Sequence, residues 1–188
     1  MLSISKSRPA AVTIDGNRVN FNNEAKVLGL NIKRTGCVSH IEKRIHLAKE
    51  QLTKIRRFIG LTTKTKLHLY KALIRPLIEY PIIPLAMASE YQLRKIQRVQ
   101  NRGMRIVAKY DENLENKTIE DIHSILNLEP MNVRLYRRLE KLWQKIEEKE
   151  PELHERSMRE NHSLFADHKW WTRAATIVEA GMPDPMYT

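Results

Sequence analysis

The chain has 188 residues, 41% of them hydrophobic, and its 33 Lys and Arg outweigh 22 Asp and Glu to give a net charge of +11. That length and apolar fraction suit one domain, or a small domain with an appendage, and exclude disorder throughout. The single cysteine, Cys37, excludes an internal disulfide and a thiolate-rich zinc site. No apolar run approaches the roughly 20 residues of a membrane span and no signal-peptide pattern opens the chain, so the expectation is an intracellular protein with no membrane partner.

The charge is unevenly placed. Lys26 to Lys109 carries a net +15, whereas Tyr110 to Thr188 carries −5. A basic block of this kind is a footprint for a polyanion, because each neutralised phosphate releases condensed counterions.

The first residues read as strands and turns. "AAVTI" is apolar and β-branched, Asp15-Gly16 is a hairpin signal and "NRVNF" alternates. "KVLGLNI" predicts a third strand with Gly29 inside it, where a bulge or a close backbone approach makes the missing side chain useful.

From Ser39 the period becomes helical. Ser39 and Glu42 have the spacing of a capping box; Ile41, Ile45, Ala48, Leu52, Ile55 and Ile59 recur at steps of four and three, and Gly60 supplies a stop. The opposite face carries Lys43, His46, Glu50, Lys54 and Arg57, with Arg44, Lys49 and Arg56 on its flanks. A second helical segment starts near Thr63, with Leu67, Tyr70, Leu73, Ile74 and Leu77 as its core positions; Pro76 is expected to kink it and Pro81 to end it.

The third helix opens on a Ser89–Gln92 capping box. Leu93, Ile96, Gln100, Met104 and Val107 take one side, and Arg94, Arg98, Arg102, Arg105 and Lys109 fall within about an 80° sector on the other. Like charges at helical spacing cost a few tenths of a kcal/mol per pair, so a single-sign ridge is better explained by phosphates than by solvation alone. Beyond Tyr110, "IEDIHSIL" predicts a short helix. Pro130 opens a longer one with Leu135, Leu139, Leu142 and Ile146 at helical spacing, and its mixed charges suit ordinary solvated faces. Trp170 and Trp171 have the faces to stack on bases, but the expectation is that they close a helix interface.

Catalytic constellations are missing from this pattern. His154, His162, Asp167 and His168 match no metal-site spacing, and there is no phosphate-binding glycine loop and no nucleophile elbow. No carboxylate set suits two-metal phosphoryl transfer. No catalytic residue, no metal ligand, no cofactor and no small-molecule substrate are assigned.

The runs "AAVTIDGNRVNFNNEAKVLGLNI", "HIEKRIHLAKEQLTKIRRFIGL", "KLHLYKALIRPLIEY" and "LRKIQRVQNRGMRIV" resemble, in order and spacing, the C-terminal part of reverse transcriptases of jockey-type non-LTR retrotransposons. Val27 departs from the aromatic residue usual there. The resemblance implies a mainly α chain with a small N-terminal β-hairpin region: residues 1–36 the palm edge with the primer grip, 37–110 a basic helical thumb, and 111–188 a helical C-terminal extension and tail. It implies that Val27, Leu28, Gly29 and Leu30 form the grip, and that Lys43, Lys54, Arg57, Arg94, Arg98, Arg102, Arg105 and Lys109 hold an RNA–DNA or DNA duplex by its backbone. It further implies a fragment that is not itself an enzyme, magnesium belonging to the palm segments that carry the catalytic aspartates. One rival reading is a helical interaction module with partner helices on its stripe and C-terminal extension. Another is a DNA-binding regulator using Gln97 and Asn101 on base edges.

Overall fold

The computed structural model describes residues 38–80, 85–86, 88–149, 151, 177–178 and 180–187, together with the backbone of four short strands. The described part is mainly helical. Strands β1 (Val12–Ile14) and β2 (Asn17–Val19) pair antiparallel, as do β3 (Glu24–Val27) and β4 (Leu30–Lys33). The register sets Val27 opposite Leu30, so the run expected as one strand through Gly29 is divided between two. Leu28 and Gly29 themselves lie outside the described residues, as do Trp170, Trp171, the His154–His168 cluster and Pro81.

Helix α1 (Val38–Arg56) buries Ile41, Ile45, Ala48, Leu52 and Ile55, the stripe that its period dictates. Both of its ends differ from expectation. The helix starts ahead of Ser39, whose Oγ is buried with no hydrogen-bond partner among the described residues, and Glu42 is drawn instead to Lys95; no capping box forms. At the other end the helix stops at Arg56, and Ile59 is 78% exposed instead of continuing the stripe.

The second helical segment is divided into α2 (Thr63–Leu69), a π-helical stretch (Tyr70–Ile74) and α3 (Arg75–Glu79). Proline 76 explains the division. Its ring crowds the carbonyl one turn back and it offers no N–H, and a wider turn just before it, with the Arg75 N–H donating to the Tyr70 carbonyl, removes that conflict. The shifted phase leaves Leu73 half in water, at 48%, while Tyr70, Ile74 and Ile78 enter the core.

Helix α4 (Glu90–Ala108) begins at the expected Ser89–Gln92 capping box and buries Ile96, Val99, Gln100, Met104 and Val107. It runs parallel to α1: Lys95 meets Glu42 near one end, and Leu52 lies beside Gly103 further along. A Cβ at Gly103 would stand 2.6 Å from Cε2 of Tyr70, so the bare backbone there is what admits the tyrosine ring. Helices α5 (Ile119–Ile125) and α6 (Met131–Lys149) complete the bundle. Gln97 and Gln100 fasten α6 to α4 by accepting the Met131 N–H at 2.8 Å and donating to the Glu129 carbonyl at 2.8 Å.

The charges of α6 are not all solvated. Glu79, 7% exposed, holds Arg75 at 2.7 Å, Arg138 at 3.1 Å and Arg134 in one cluster. No helix among the described residues is long and apolar enough to cross a membrane.

Candidate nucleic-acid interface

The cation ridge of α4 divides in three dimensions. Arg94 is held by Glu90 at 2.5 Å, and Arg105 donates to the Lys117 carbonyl at 2.7 Å; both lie toward α5 and the C-terminal segment. Arg98 and Arg102 are exposed and have no ion-pair or hydrogen-bond partner among the described residues. Lys109, half-buried at the helix end, lies 4.6 Å from the centre of the Tyr110 ring.

The free pair lies on the outer face of α4, about 20–60° round from Lys95. The 2.8 Å contact of Lys95 with Glu42 marks where α4 and α1 meet. At 100° per residue Lys95, Arg98, Arg102 and Lys109 share a sector of about 60° on α4, and Glu42, Lys49, Thr53 and Arg56 share another of about 60° on α1. Lys49 and Arg56 are exposed. The result is one open edge with Lys49 and Arg56 on one rail and Arg98, Arg102 and Lys109 on the other. Within it Glu42 neutralises Lys95, and its hydrogen bond raises the lysine's pKa.

Lys43, Lys54 and Arg57 are exposed as well, but they lie about 70–130° further round α1, away from the free arginines. By helical phase, Lys49 and Arg56, expected only as flanks, are the α1 cations on the same side as Glu42, and the three outward cations of α1 lie further round. The signal was present in the spacing: Lys49 and Arg56 follow Glu42 at seven and fourteen residues, two and four turns along the same edge.

The far end of this edge is rigidly built. Lys66, 5% exposed, sends its Nζ to the Lys109 carbonyl at 2.9 Å and so caps α4 from another helix. The next residue, Tyr110, takes a φ of +68, and its ring lies under both Lys66 and Lys109. Cation–π contact offsets the cost of a left-handed tyrosine where glycine is usual.

Two other places bear less well on polyanion binding. An open cleft of about 530 Å³ between α4, α5, α6 and the C-terminal segment is lined by Glu90, Glu120 and Asp184 against Arg94, a balance that repels phosphate. Gln97 is fully buried, and Asn101 is occupied by Gln97, by His123 and by the Tyr187 carbonyl; neither side chain is offered to a base edge. Comparison with protein-family models, with curated proteins and with solved structures finds no match.

Proposed function

We propose that the chain is a duplex-holding module of the reverse-transcriptase thumb type, which grips template and primer through phosphates laid along the α1/α4 edge. The observation that carries this reading is the pair Arg98 and Arg102, exposed and unpartnered among the described residues, with Lys109 on the same helix sector and Lys49 and Arg56 set by helical phase on the Glu42 side of α1. The packed helices fix the backbone of these cations, so only side-chain freedom is lost when phosphates arrive. A stretch of like charge that weakens the free helix is repaid by counterion release on binding. An RNA–DNA hybrid is read by shape and backbone, so the module has little sequence preference.

In this reading the N-terminal β-hairpin with Val27, Leu28, Gly29 and Leu30 is the primer grip. The polymerising metals belong to palm carboxylates, and this chain alone does not extend a primer. The interaction-module alternative is weakened because the Ile41–Ile55 part of its stripe is already buried in the chain's own core.

Titration of a fluorescent RNA–DNA hybrid over a range of salt tests the proposal. Affinity should fall with a log–log slope of about −0.9 per phosphate neutralised, and the Arg98→Glu, Arg102→Glu double variant should lower that slope by about two for every duplex sequence alike. An unchanged slope in a folded double variant would sink the reading.

A further inference from the structure

The turn between α1 and α2 carries two large apolar side chains into water: Phe58 is 54% exposed and Ile59 78%. The turn is well fixed. The N–H groups of Arg57 and Phe58 donate to Lys54 and Ile55 at 3.1 Å, and that of Ile59 to Arg57 at 3.0 Å. Gly60 then reverses the chain at a φ of +91, with open space where a Cβ would stand, and Thr62 caps α2. Single exposed apolar residues need no explanation, but two in succession on a hydrogen-bonded tip form a small apolar point.

The surroundings of this point identify its partner. Between Gln51 and Ile78 the sequence has seven Lys and Arg and no acidic residue, and Arg56 and Arg57 immediately precede the tip. Thr63 donates to Asp111 at 2.5 Å and Lys66 to the Lys109 carbonyl at 2.9 Å, so the tip stands at the end of the bundle where the cationic edge finishes in Lys109. Asp111 is engaged there by Thr63 and by the Asn113 N–H. An apolar point at the end of a phosphate-holding edge, flanked by arginines, has the chemistry of a side chain inserted between bases.

We infer that Phe58 and Ile59 form a wedge that enters a base step of the nucleic-acid duplex held along the α1/α4 edge; the inference rests on the proposed reading of that edge. Phosphates on either side of the opened step meet Arg56 and Arg57, while the Phe58 ring stacks on the exposed base face. Stacking is tolerant of sequence, which agrees with a module that reads no bases.

The test uses RNA–DNA hybrids with 2-aminopurine placed in turn at interior and penultimate steps, the full-length chain, and Phe58→Ala, Ile59→Ala and Phe58→Tyr variants. Wild type should raise 2-aminopurine fluorescence at one region of the duplex. The Phe58→Ala, Ile59→Ala double variant should lose that rise and bind about 5- to 100-fold more weakly, with an unchanged salt slope and an unchanged melting temperature. Phe58→Tyr, which keeps a stacking face, should retain both signals. Salt-dependent binding that the double variant leaves intact, with the same fluorescence, overturns the wedge and spares the edge. Absence of salt-dependent binding by wild type overturns both. Phe58-dependent flotation with phosphatidylserine vesicles in place of hybrid binding assigns the tip to an anionic membrane and also overturns the wedge.

Discussion

Tyr70 reaches the centre of the bundle because position 103 has no side chain, and the consequence is measurable. Alanine is a better helix former than glycine by about 1 kcal/mol, so propensity alone makes Gly103→Ala stabilising. Yet the new methyl would lie 2.6 and 2.8 Å from Cε2 and Cδ2 of a core ring that is 1% exposed, so the ring or the helix must shift. Overpacking of this kind costs about 1–3 kcal/mol. Urea denaturation should therefore show Gly103→Ala less stable than wild type by up to about 2 kcal/mol, the overpacking cost less the propensity gain; a gain in stability would mean that the ring moves freely. Tyr70 was legible in the sequence as a core position. Gly103 was not, because a lone glycine in a helix looks like a loss of propensity until the neighbouring ring is placed.

Among the elements, those whose apolar period is strong were legible: α1, α4 and α6 lie where their stripes put them, although Leu142 and Ile146 of the α6 stripe are only half-buried, and the Ser89–Gln92 box starts α4 as its spacing predicts. What failed depended on contacts distant in sequence. The Ser39–Glu42 spacing suggested a cap, but Lys95, 53 residues on, takes the carboxylate. The mixed charges of α6 suggested solvation, but Arg134 and Arg138 reach Glu79, 55 and 59 residues back. That cluster ties α3 to α6. Its single buried carboxylate faces three half-buried guanidinium groups, those of Arg75, Arg134 and Arg138, so removing the charge leaves three clustered cations without a counterion. Glu79→Gln should cost about 3 kcal/mol, the lower end of the range for breaking a buried pair because Arg134 and Arg138 are partly exposed. Added salt should recover part of that loss by screening the cations. Equal stability of wild type and variant in urea would show that the three arginines do not need the carboxylate.

At the scale of the whole molecule, the net charge of +11 and two buried imidazoles act on stability in the same direction as pH falls. His123 is 1% exposed, and burial lowers its pKa below the ordinary value of 6.5, opposed by the hydrogen bond of Nδ1 to the Leu128 carbonyl. Its Nε2 lies 3.1 Å from the Asn101 Oδ1, an oxygen that favours a proton there, but no charged group contributes at this site and burial is the larger effect. His40, 4% exposed, is lowered first by burial and then by the charge of Arg44. Between the lowered folded values and 6.5 the unfolded chain binds more protons than the folded one, so stability rises with pH across that window. The contribution is complete above 6.5 and is lost as pH falls through the folded values. Protonation also adds to a charge that already repels itself. Melting temperature should accordingly be flat from about pH 8 to 7 and decline toward about pH 5. A His40→Gln, His123→Gln double variant, even if less stable throughout, should show a flatter acid limb. A duplex on the α1/α4 edge opposes the self-repulsion and stabilises by mass action, so the hybrid should raise the wild-type curve without removing its bend. An acid limb as steep in the double variant as in wild type would exclude the two imidazoles as its source.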